Sequence, residues 1–473
     1  MKIVGRKAEQ AILQNCLESP RPVFLAVYGR RRVGKTFLVR EFFGKNIVFS
    51  LTGAVDATMK QQLQGFDEAL EDYFGVAGEP SENWLTAFRK LQKVLERRKG
   101  KGKKVIFIDE LPWLATQKSG FLSALDHFWN AFLATREDML LVICGSATSW
   151  IIDNVIKNKG GLHNRVTREL WLEPFSLGEC EQYYRAMGIE LNRMQITQLY
   201  MVYGGVPYYM DYAERGLSAE QIIDKMFFAK HAPLANEYQN LYRSLFRKPE
   251  KHIKVVEVLG KSGRGMTQKE LLTALDVKPG GSTTKVLDEL EQCGFVRRYR
   301  DFTKSKRGQY YQLSDFYTLF YLKYLKGRGE PDAQYWQNMS HKGASYAWNG
   351  LAFERVCIAH LSQIKQRLGI SGVSTESSAW RSRYAEPGAQ IDLIINREDR
   401  IINLCEMKFT SKPFKIDKAY DEELIYKRET FREETGLNEA LHITMVTSSG
   451  LASSSFMGSV QSQVCLDDLF FGD

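Results

Sequence analysis

The sequence predicts a multidomain α/β protein. Its 473 residues exceed what one hydrophobic core organises, so several domains are expected. The first third alternates apolar, β-prone runs with amphipathic stretches, which indicates a mainly parallel sheet with helices on both faces. The periodicity then becomes helical, and later it mixes helices with short β-prone runs. These changes indicate that further domains follow the sheet.

The first domain, residues 1–167, carries the parallel sheet. Its strands are predicted at 23–28, 46–51, 104–109 and 139–145, and amphipathic helices at 56–73 and 82–98. Residues 168–240 open with a last strand at 168–173. The helices that follow, at 177–187, 194–203 and 219–228, predict a small helical lid.

Residues 241–330 are expected to form a separate domain. Helices are predicted at 251–259, 267–275 and 283–293, with Ser282 as the N-cap of the third. Two β-prone runs follow, at 295–302 and 309–313. Three helices and a hairpin are the order of a winged helix-turn-helix. Residues 331–473 form the last domain, with a helix carrying Phe353 and strands near 378–383, 390–396 and 401–408.

Composition narrows the class of protein. A hydrophobic fraction of 44% and a charged fraction of 26% are typical of soluble globular proteins, and the net charge of +9 favours an anionic partner. No Cys-x-x-Cys pair, signal peptide or apolar run of about 20 residues occurs, so we expect a cytoplasmic protein with reduced thiols and no membrane partner. The oligomeric state stays open, and an oligomer is compatible with the sequence.

Residues 29–36, Gly-Arg-Arg-Arg-Val-Gly-Lys-Thr, form a complete phosphate-binding loop between a predicted strand and a predicted helix. The two glycines let the backbone point its N–H groups at phosphate oxygens. Lys35 would reach the β- and γ-phosphates, and the Thr36 hydroxyl would bind Mg²⁺. The predicted contacts of ATP are Gly29, Arg30, Arg31, Arg32, Val33, Gly34, Lys35, Thr36 and Phe37.

Two acids follow the apolar strand run Val105-Ile106-Phe107-Ile108. Ligands of open α/β sheets bind at the carboxyl ends of the strands, so Asp109 and Glu110 should lie beside the phosphates. We expect Asp109 to hold Mg²⁺ through water and Glu110 to orient and deprotonate the attacking water.

The hairpin of the third domain is basic. Arg297, Arg298, Arg300, Lys304, Lys306 and Arg307 oppose the single acid Asp301. This imbalance favours contacts with DNA phosphates. The alternative is a winged helix that serves as a protein-protein or interdomain spacer, with the hairpin as a solvated basic edge.

Two neighbouring strands of the last domain carry charges inside apolar runs: Asp392 on one, Glu406 and Lys408 on the other. If the strands pair as a hairpin, the two acids approach each other and Lys408 lies on the face of Glu406. Such a cluster suits Mg²⁺ or Mn²⁺, with the lysine orienting a nucleophilic water. The alternative is a structural salt bridge between Asp392 and Lys408.

These motifs together resemble the archaeal- and Bacteroides-type AAA-like ATPases of the STAND-related branch of P-loop proteins. The resemblance rests on five segments: Val4 to Glu9, Tyr28 to Thr36, Gly145-Ser146-Ala147, Glu173 to Ser176 and Gly204 to Pro207. Members commonly carry a C-terminal domain of the DUF234 type, which resembles the PD-(D/E)xK nuclease fold. The implied architecture is a P-loop AAA-like parallel sheet with a helical lid, a winged helix-turn-helix and an α/β nuclease-like domain.

The resemblance also implies roles for single residues. Arg6 would lie beside the adenine, and Ser146 would sense the γ-phosphate. Arg165 would contact phosphate, although this chain has Leu162-His163-Asn164-Arg165 where relatives often have Leu-Tyr-Gly-Arg. Glu354 matches an acid that the nuclease fold often adds to its metal site.

Three functions are compatible with this sequence. The leading one is a Mg²⁺-dependent ATPase coupled to DNA binding and to metal-dependent DNA cleavage by the last domain. The second is a STAND-type switch, in which nucleotide state controls a partner-binding surface and the last domain does not cleave. The third is a DNA-binding ATPase without cleavage.

Overall fold

The computed structural model describes residues 2–76, 78–98, 100–116, 118–157, 162, 164–246, 248–303, 309–340 and 342–472. The chain divides into two compact units, Met1–Pro174 and Phe175–Asp473. Each unit has hydrophobic cores of its own.

The elements of the first unit alternate strands and helices. Its strands are β1 (Val23–Tyr28), β2 (Ile47–Thr52), β3 (Lys104–Asp109), β4 (Met139–Gly145) and β5 (Arg168–Trp171). Its helices are α1 (Lys7–Glu18), α2 (Lys35–Phe43), α3 (Met59–Phe74), α4 (Trp84–Arg97), α5 (Leu111–Leu114), α6 (Phe121–Ala131) and α7 (Thr148–Ile151).

The sheet of this unit is parallel, with the strand order β2-β3-β4-β1-β5. Every residue of β1, β3 and β4 is buried, because apolar side chains cover both faces of the sheet. The carboxyl ends of the three strands, at Tyr28, Asp109 and Gly145, therefore meet at one edge. The predicted bounds of these three strands are confirmed.

Helix starts were less predictable than strands in this unit. Helices α3 and α4 begin a few residues after the predicted positions, because Thr58 and Asn83 act as N-caps and accept hydrogen bonds from the backbone of Gln61 and Thr86. The predicted last strand ends at Trp171, two residues early.

The second unit is larger and has two sheets. Its strands are β6 (Met266–Thr267), β7 (Val296–Arg300), β8 (Gln309–Leu313), β9 (Thr375–Arg381), β10 (Gln390–Arg397), β11 (Ile401–Lys408), β12 (Ala440–Thr447) and β13 (Val460–Cys465). Its helices are α8 (Leu177–Ala186), α9 (Arg193–Tyr203), α10 (Pro207–Met210), α11 (Ala219–Ile223), α12 (Glu237–Leu245), α13 (Pro249–Lys261), α14 (Gln268–Ala274), α15 (Gly281–Gln292), α16 (Phe316–Phe320), α17 (Tyr335–Met339), α18 (Gly343–Ala359), α19 (Leu361–Arg367) and α20 (Lys418–Thr435).

Helices α13, α14 and α15 precede the hairpin β7-β8, to which the short strand β6 adds a third member. The expectation that Ser282 caps α15 is wrong. The helix begins one residue earlier, at Gly281, with Gly280 as its N-cap. The Ser282 hydroxyl instead accepts a hydrogen bond from Lys251 Nζ at 3.0 Å.

The last sheet has the order β13-β12-β11-β10-β9. Strands β9, β10 and β11 are antiparallel, whereas β11, β12 and β13 are parallel. The register between β9 and β10 shifts between Ile391 and Ile394, which makes a β-bulge at Asp392 and Leu393. None of the helices in the described residues combines the length and apolar character needed to cross a bilayer.

Candidate functional site

The loop that follows β1 has the backbone of a phosphate-binding loop. Gly29, Arg32 and Gly34 have φ values of 142°, 71° and 89°, in the region that favours glycine. A Cβ atom on Gly29 would lie 2.3 Å from the carbonyl oxygen of Leu172. The first glycine is therefore required by a close backbone approach as well as by its dihedral angle. Helix α2 begins at Lys35, directly after the loop.

The Lys35 ammonium lies inside the curve of this loop. Its Nζ donates to the carbonyl oxygens of Gly29 at 2.9 Å and Arg30 at 2.7 Å, and the residue is only 5% exposed. The loop thus places a buried positive charge beside the N-terminus of α2, where an anion is stabilised. Val33 and Arg30 are also buried, whereas Phe37 is exposed.

The predicted metal and catalytic residues of this region are joined by hydrogen bonds. Thr36 Oγ1 donates to Asp109 Oδ2 at 2.8 Å, and the backbone N–H of Glu110 donates to Asp109 Oδ1 at 2.9 Å. Ser146 Oγ donates to Glu110 Oε1 at 2.7 Å. Side chains from the ends of β3 and β4 and from the start of α2 are therefore brought together at one edge of the sheet.

The donor set at this edge suits Mg²⁺. The ion prefers oxygen ligands, and the Thr36 hydroxyl and Asp109 carboxylate already share a contact of 2.8 Å. Asp109 is 3% exposed and accepts hydrogen bonds from two neutral donors, the Thr36 hydroxyl and the Glu110 N–H. These two residues would hold the ion.

Two further residues of the predicted nucleotide site have different surroundings. Arg6 contacts the loop, since its Nη2 donates to the Val33 carbonyl oxygen at 3.3 Å while Nη1 bonds Glu9 at 3.1 Å. Arg165 is exposed, in a turn where its backbone N–H donates to Leu162. The expected contacts of Arg6 with adenine and of Arg165 with phosphate stay predictions.

The acids predicted to form the C-terminal centre have different hydrogen-bond partners. Leu393 pairs with Cys405, so Asp392 and Glu406 are the next residues outward on β10 and β11. Glu406 accepts a hydrogen bond from Lys427 of α20 at 3.0 Å. Asp392, at the bulge, accepts one from Gln390 and lines a cavity with Arg297 and Arg355.

The surroundings of Lys408, Glu354 and Glu406 differ from one another. The Lys408 ammonium lies 4.7 Å from the centre of the Tyr420 ring. Burial, followed by the negative charge of Asp392, raises the pKa of Glu354 to about 7. Burial raises the pKa of Glu406, and the ammonium of Lys427 opposes this rise.

Within the described residues, no three His, Cys, Asp or Glu side chains are arranged closely enough to hold a metal ion. The structure therefore does not bring Glu354, Asp392 and Glu406 together as a ligand set. Glu406 is instead paired with Lys427 of α20, and Asp392 accepts a hydrogen bond from Gln390 and lines the cavity. The metal centre stays a prediction.

The described arginines of the basic hairpin pair with acids or line a cavity of the second unit. Arg298 pairs with Asp288 at 2.6 Å and Glu291 at 2.5 Å, and Arg300 pairs with Glu376 of β9 at 3.3 Å. Arg297 lines the cavity, where burial and then the charge of Arg355 lower its pKa to about 9. Lys304, Lys306 and Arg307 lie outside the described residues. Contact of the hairpin with DNA stays a prediction.

Sequence reasoning missed Arg355, Arg381 and Lys427. Arg355 is 4% exposed in the apolar helix α18, and the signal that could have found it is a single arginine among apolar residues. Lys427 gave no such signal, because the lysine lies in a helix rich in charged residues of both signs.

Comparison with known proteins supports an ATPase domain in the first part of the chain. Residues 3–213 match the family described as an ATPase domain predominantly from Archaea. The chain is 25% identical over 413 residues to the uncharacterised protein MJECL04 of Methanocaldococcus jannaschii, which covers 86% of this chain and 87% of that protein.

Similar solved structures include the Walker-type ATPase PABY2304 of Pyrococcus abyssi, with 14% identity, a TM-score of 0.48, and coverage of 68% of this chain and 96% of that one. The ORC2 protein of Aeropyrum pernix, in ADPNP-ADP complexes, has 14% identity, a TM-score of 0.40, and coverage of 68% and 93%. The family match and the geometry of the loop together support a P-loop ATPase domain in the first part of this chain.

Proposed function

We propose that this chain couples Mg²⁺-dependent ATP hydrolysis at residues 29–36 to the binding of DNA and to its metal-dependent cleavage by residues 331–473. The observation that carries the ATPase part is the connected set of Lys35, Thr36, Asp109, Glu110 and Ser146. Phosphoryl transfer depends on positioning and on charge stabilisation, and this set supplies both.

Each member of the set has a distinct task. The loop N–H groups and the Lys35 ammonium bind the phosphates. Thr36 and Asp109 hold Mg²⁺, which when bound neutralises the charge of the phosphate oxygens. Glu110 orients the attacking water and accepts its proton at a carboxylate oxygen. Ser146 is a positioning residue, since its hydroxyl holds Glu110 Oε1 at 2.7 Å.

Two variants test the ATPase part. Lys35→Ala should abolish ATP binding, because the buried positive charge beside the phosphates is lost. Glu110→Gln should keep ATP binding and slow hydrolysis, because the shape is retained while the base is removed. Equilibrium binding and steady-state turnover distinguish the two effects. Unchanged turnover of Glu110→Gln would remove Glu110 from its role.

The DNA part is supported by charge. The chain carries a net charge of +9, and arginines of the second unit converge on a cavity that Asp392 also lines. Cleavage is supported by the position of Asp392 and Glu406 on paired strands, with Glu354 close enough to feel the charges of both. Because the described acids form no ligand set, we assign no step to a metal at this centre.

Nicking assays test cleavage. Mg²⁺- or Mn²⁺-dependent nicking of plasmid DNA should disappear in Glu406→Ala. The matched control is Glu423→Ala, since Glu423 is the other partner of Lys427, at 2.9 Å, and half of its side chain is exposed. Nicking that survives Glu406→Ala, or that is lost equally in both variants, would refute the assignment of Glu406 to a cleavage centre.

A second candidate function, a nucleotide-controlled switch with a non-cleaving C-terminal module, is favoured by one specific observation. The Lys427 ammonium pairs with Glu406 at 3.0 Å, which is how a structural ion pair is made. The switch predicts that purified protein retains ADP, turns over slowly and does not nick DNA in Mn²⁺. Fast turnover with nicking would exclude it.

A further inference from the structure

A cavity lies in the second unit among the hairpin β7-β8, helix α18 and strands β9 and β10. We call it the arginine cavity, and its defining residues are Arg264, Arg297, Arg355, Arg381, Trp380 and Asp392. Its volume is about 400 Å³ when its open mouth is included. Most of that volume belongs to the open mouth, so a ligand would be held at the mouth by the side chains that line it.

The arginines of the cavity are positioned by neutral oxygens. Arg355 donates to the carbonyl oxygens of Gly263 at 2.6 Å and Leu313 at 3.3 Å. Arg297 Nε donates to Gln312 Oε1, and Arg381 Nε to Gln390 Oε1 at 3.1 Å. Amide oxygens orient a guanidinium without neutralising it, so the side chains are pre-organised and keep their full charge.

The positive charge of the cavity exceeds its negative charge. Four arginines line it against two acids, Asp301 and Asp392. Among the described residues, Arg264, Arg297 and Arg381 have no carboxylate within 4.0 Å, and Arg355 has only Glu354, at 4.0 Å. Asp301 accepts hydrogen bonds from Thr303, and Asp392 from Gln390. Charges that are partly buried and not neutralised are costly unless an anion joins them.

The lining also offers flat apolar surface and a further donor. The Arg297 guanidinium lies over the Tyr299 ring at 4.7 Å, and Tyr299 stacks on Tyr310 with ring centres 5.5 Å apart. The indole N–H of Trp380 is buried and has no acceptor among the described residues. Guanidinium groups beside aromatic rings suit a phosphate that carries a planar base.

We propose that the arginine cavity binds the phosphate group of a nucleotide unit, with Arg297, Arg355 and Arg381 as its donors. The unit is either part of a nucleic-acid strand or a free nucleotide, and the recognising chemistry is the same. This inference deepens the DNA part of the proposed function. It rests on that part if the ligand is a nucleic-acid strand, but not if the ligand is a free nucleotide. Asp392 lies in the same cavity, so a bound strand would place a phosphate beside an acid of the predicted cleavage centre.

The test uses the full chain and a double variant. Arg297→Gln with Arg381→Gln removes two charges that are incompletely buried, whereas Arg355 is left in place because its backbone contacts support the fold. The matched control is Arg298→Gln, the next residue on β7, whose charge is already neutralised by Asp288 and Glu291. All proteins also carry Lys35→Ala, which confines phosphate binding to sites other than the loop.

The probe is a fluorescent oligothymidylate, followed by anisotropy at several salt concentrations. We expect the double variant to bind about tenfold more weakly or worse, with a salt slope smaller by about 0.7 to 1.4, and the control to match the parent. Equal affinity of parent and double variant would overturn the proposal.

Calorimetry with thymidine monophosphate and with inorganic phosphate distinguishes the two sources. One outcome is that the parent binds the monophosphate but not the strand, and that the double variant loses the monophosphate. This outcome supports a free nucleotide and refutes the DNA part of the proposed function. Binding of neither oligonucleotide nor monophosphate by the parent overturns the inference. ATP turnover, measured without Lys35→Ala, judges the ATPase separately and should be the same in all three proteins.

Discussion

Ser146 should act on ATP hydrolysis only through Glu110, and a double-mutant cycle can show this. Ser146→Ala removes the hydroxyl that holds Glu110 Oε1 at 2.7 Å and leaves the backbone contact at 3.4 Å. Glu110→Gln keeps an oxygen that accepts from Ser146 but removes the base. In the Glu110→Gln background no base remains for Ser146 to position, so adding Ser146→Ala should have little further effect.

The magnitudes follow from these contacts. Loss of a general base costs about 10²- to 10⁴-fold in turnover, or about 3 to 5.5 kcal/mol. A hydrogen bond to a charged group contributes about 1.5 to 3 kcal/mol, and the remaining N–H contact keeps part of the positioning, so we expect Ser146→Ala to slow turnover about tenfold. In the Glu110→Gln background the same change should cost less than about twofold, which is a coupling energy near 1 kcal/mol.

Turnover is measured by phosphate release at saturating ATP, with nucleotide affinity measured separately. Ser149→Ala is the control, because Ser149 is buried nearby and makes no hydrogen bond to Glu110 in the structure. If Ser146→Ala costs the same factor in both backgrounds, the serine contacts the nucleotide independently of Glu110 and the positioning argument fails.

Other predictions concern stability. Gly29→Ala should destabilise the first unit by about 3 kcal/mol because its Cβ would meet a carbonyl oxygen at 2.3 Å, whereas Gly75→Ala, with open space around it and φ of 65°, should cost about 1 kcal/mol in urea unfolding. The hydrogen bond from Arg136 lowers the pKa of Asp138 to about 2. The stabilisation that this ionised carboxylate contributes is therefore present above the unfolded pKa of about 3.9 and is lost as the pH falls through 2. Because the pair is partly exposed, we expect Asp138→Asn to lower the free energy of unfolding by only about 1 kcal/mol at pH 6. Near pH 2 the stability of the variant should approach that of the parent. Equal stability at pH 6 would show that the ion pair contributes nothing.

The parallel sheet was predictable because its central strands are buried on both faces. Strands buried on both faces read as continuous apolar runs, such as Val105 to Ile108, so they can be located without an alternation of polar and apolar residues. The loop could also be placed, since glycine spacing fixes where the backbone turns. Helix starts depend on which nearby side chain caps, so Thr58 and Asn83 moved them by a few residues.

The second unit was harder because its charges are paired across distant elements. Arg297 and Arg298 are adjacent and chemically identical, but they lie on opposite faces of β7. Arg297 lines the cavity, whereas Arg298 pairs with acids of α15. The β-bulge at Asp392 and Leu393 shifts the register of β10 against β9, and no residue pattern in the sequence indicates it. Lys427, which holds Glu406, comes from a helix about twenty residues later.

The two candidate centres differ in how their acids are held, and this difference bears on function. In the first unit, Asp109 and Glu110 are held by hydroxyl and N–H groups, which orient a carboxylate and leave its charge for a cation or a proton. In the second unit, the ammonium of Lys427 already neutralises Glu406, so a cation would have to displace it. Glu423 lies 2.9 Å from the same ammonium and can keep it paired after that displacement. The first centre therefore suits the proposed catalysis without rearrangement. The second would require an exchange of ion pairs. Binding of a phosphate-bearing strand in the adjacent arginine cavity, as proposed above, would favour that exchange by adding negative charge that a cation can offset.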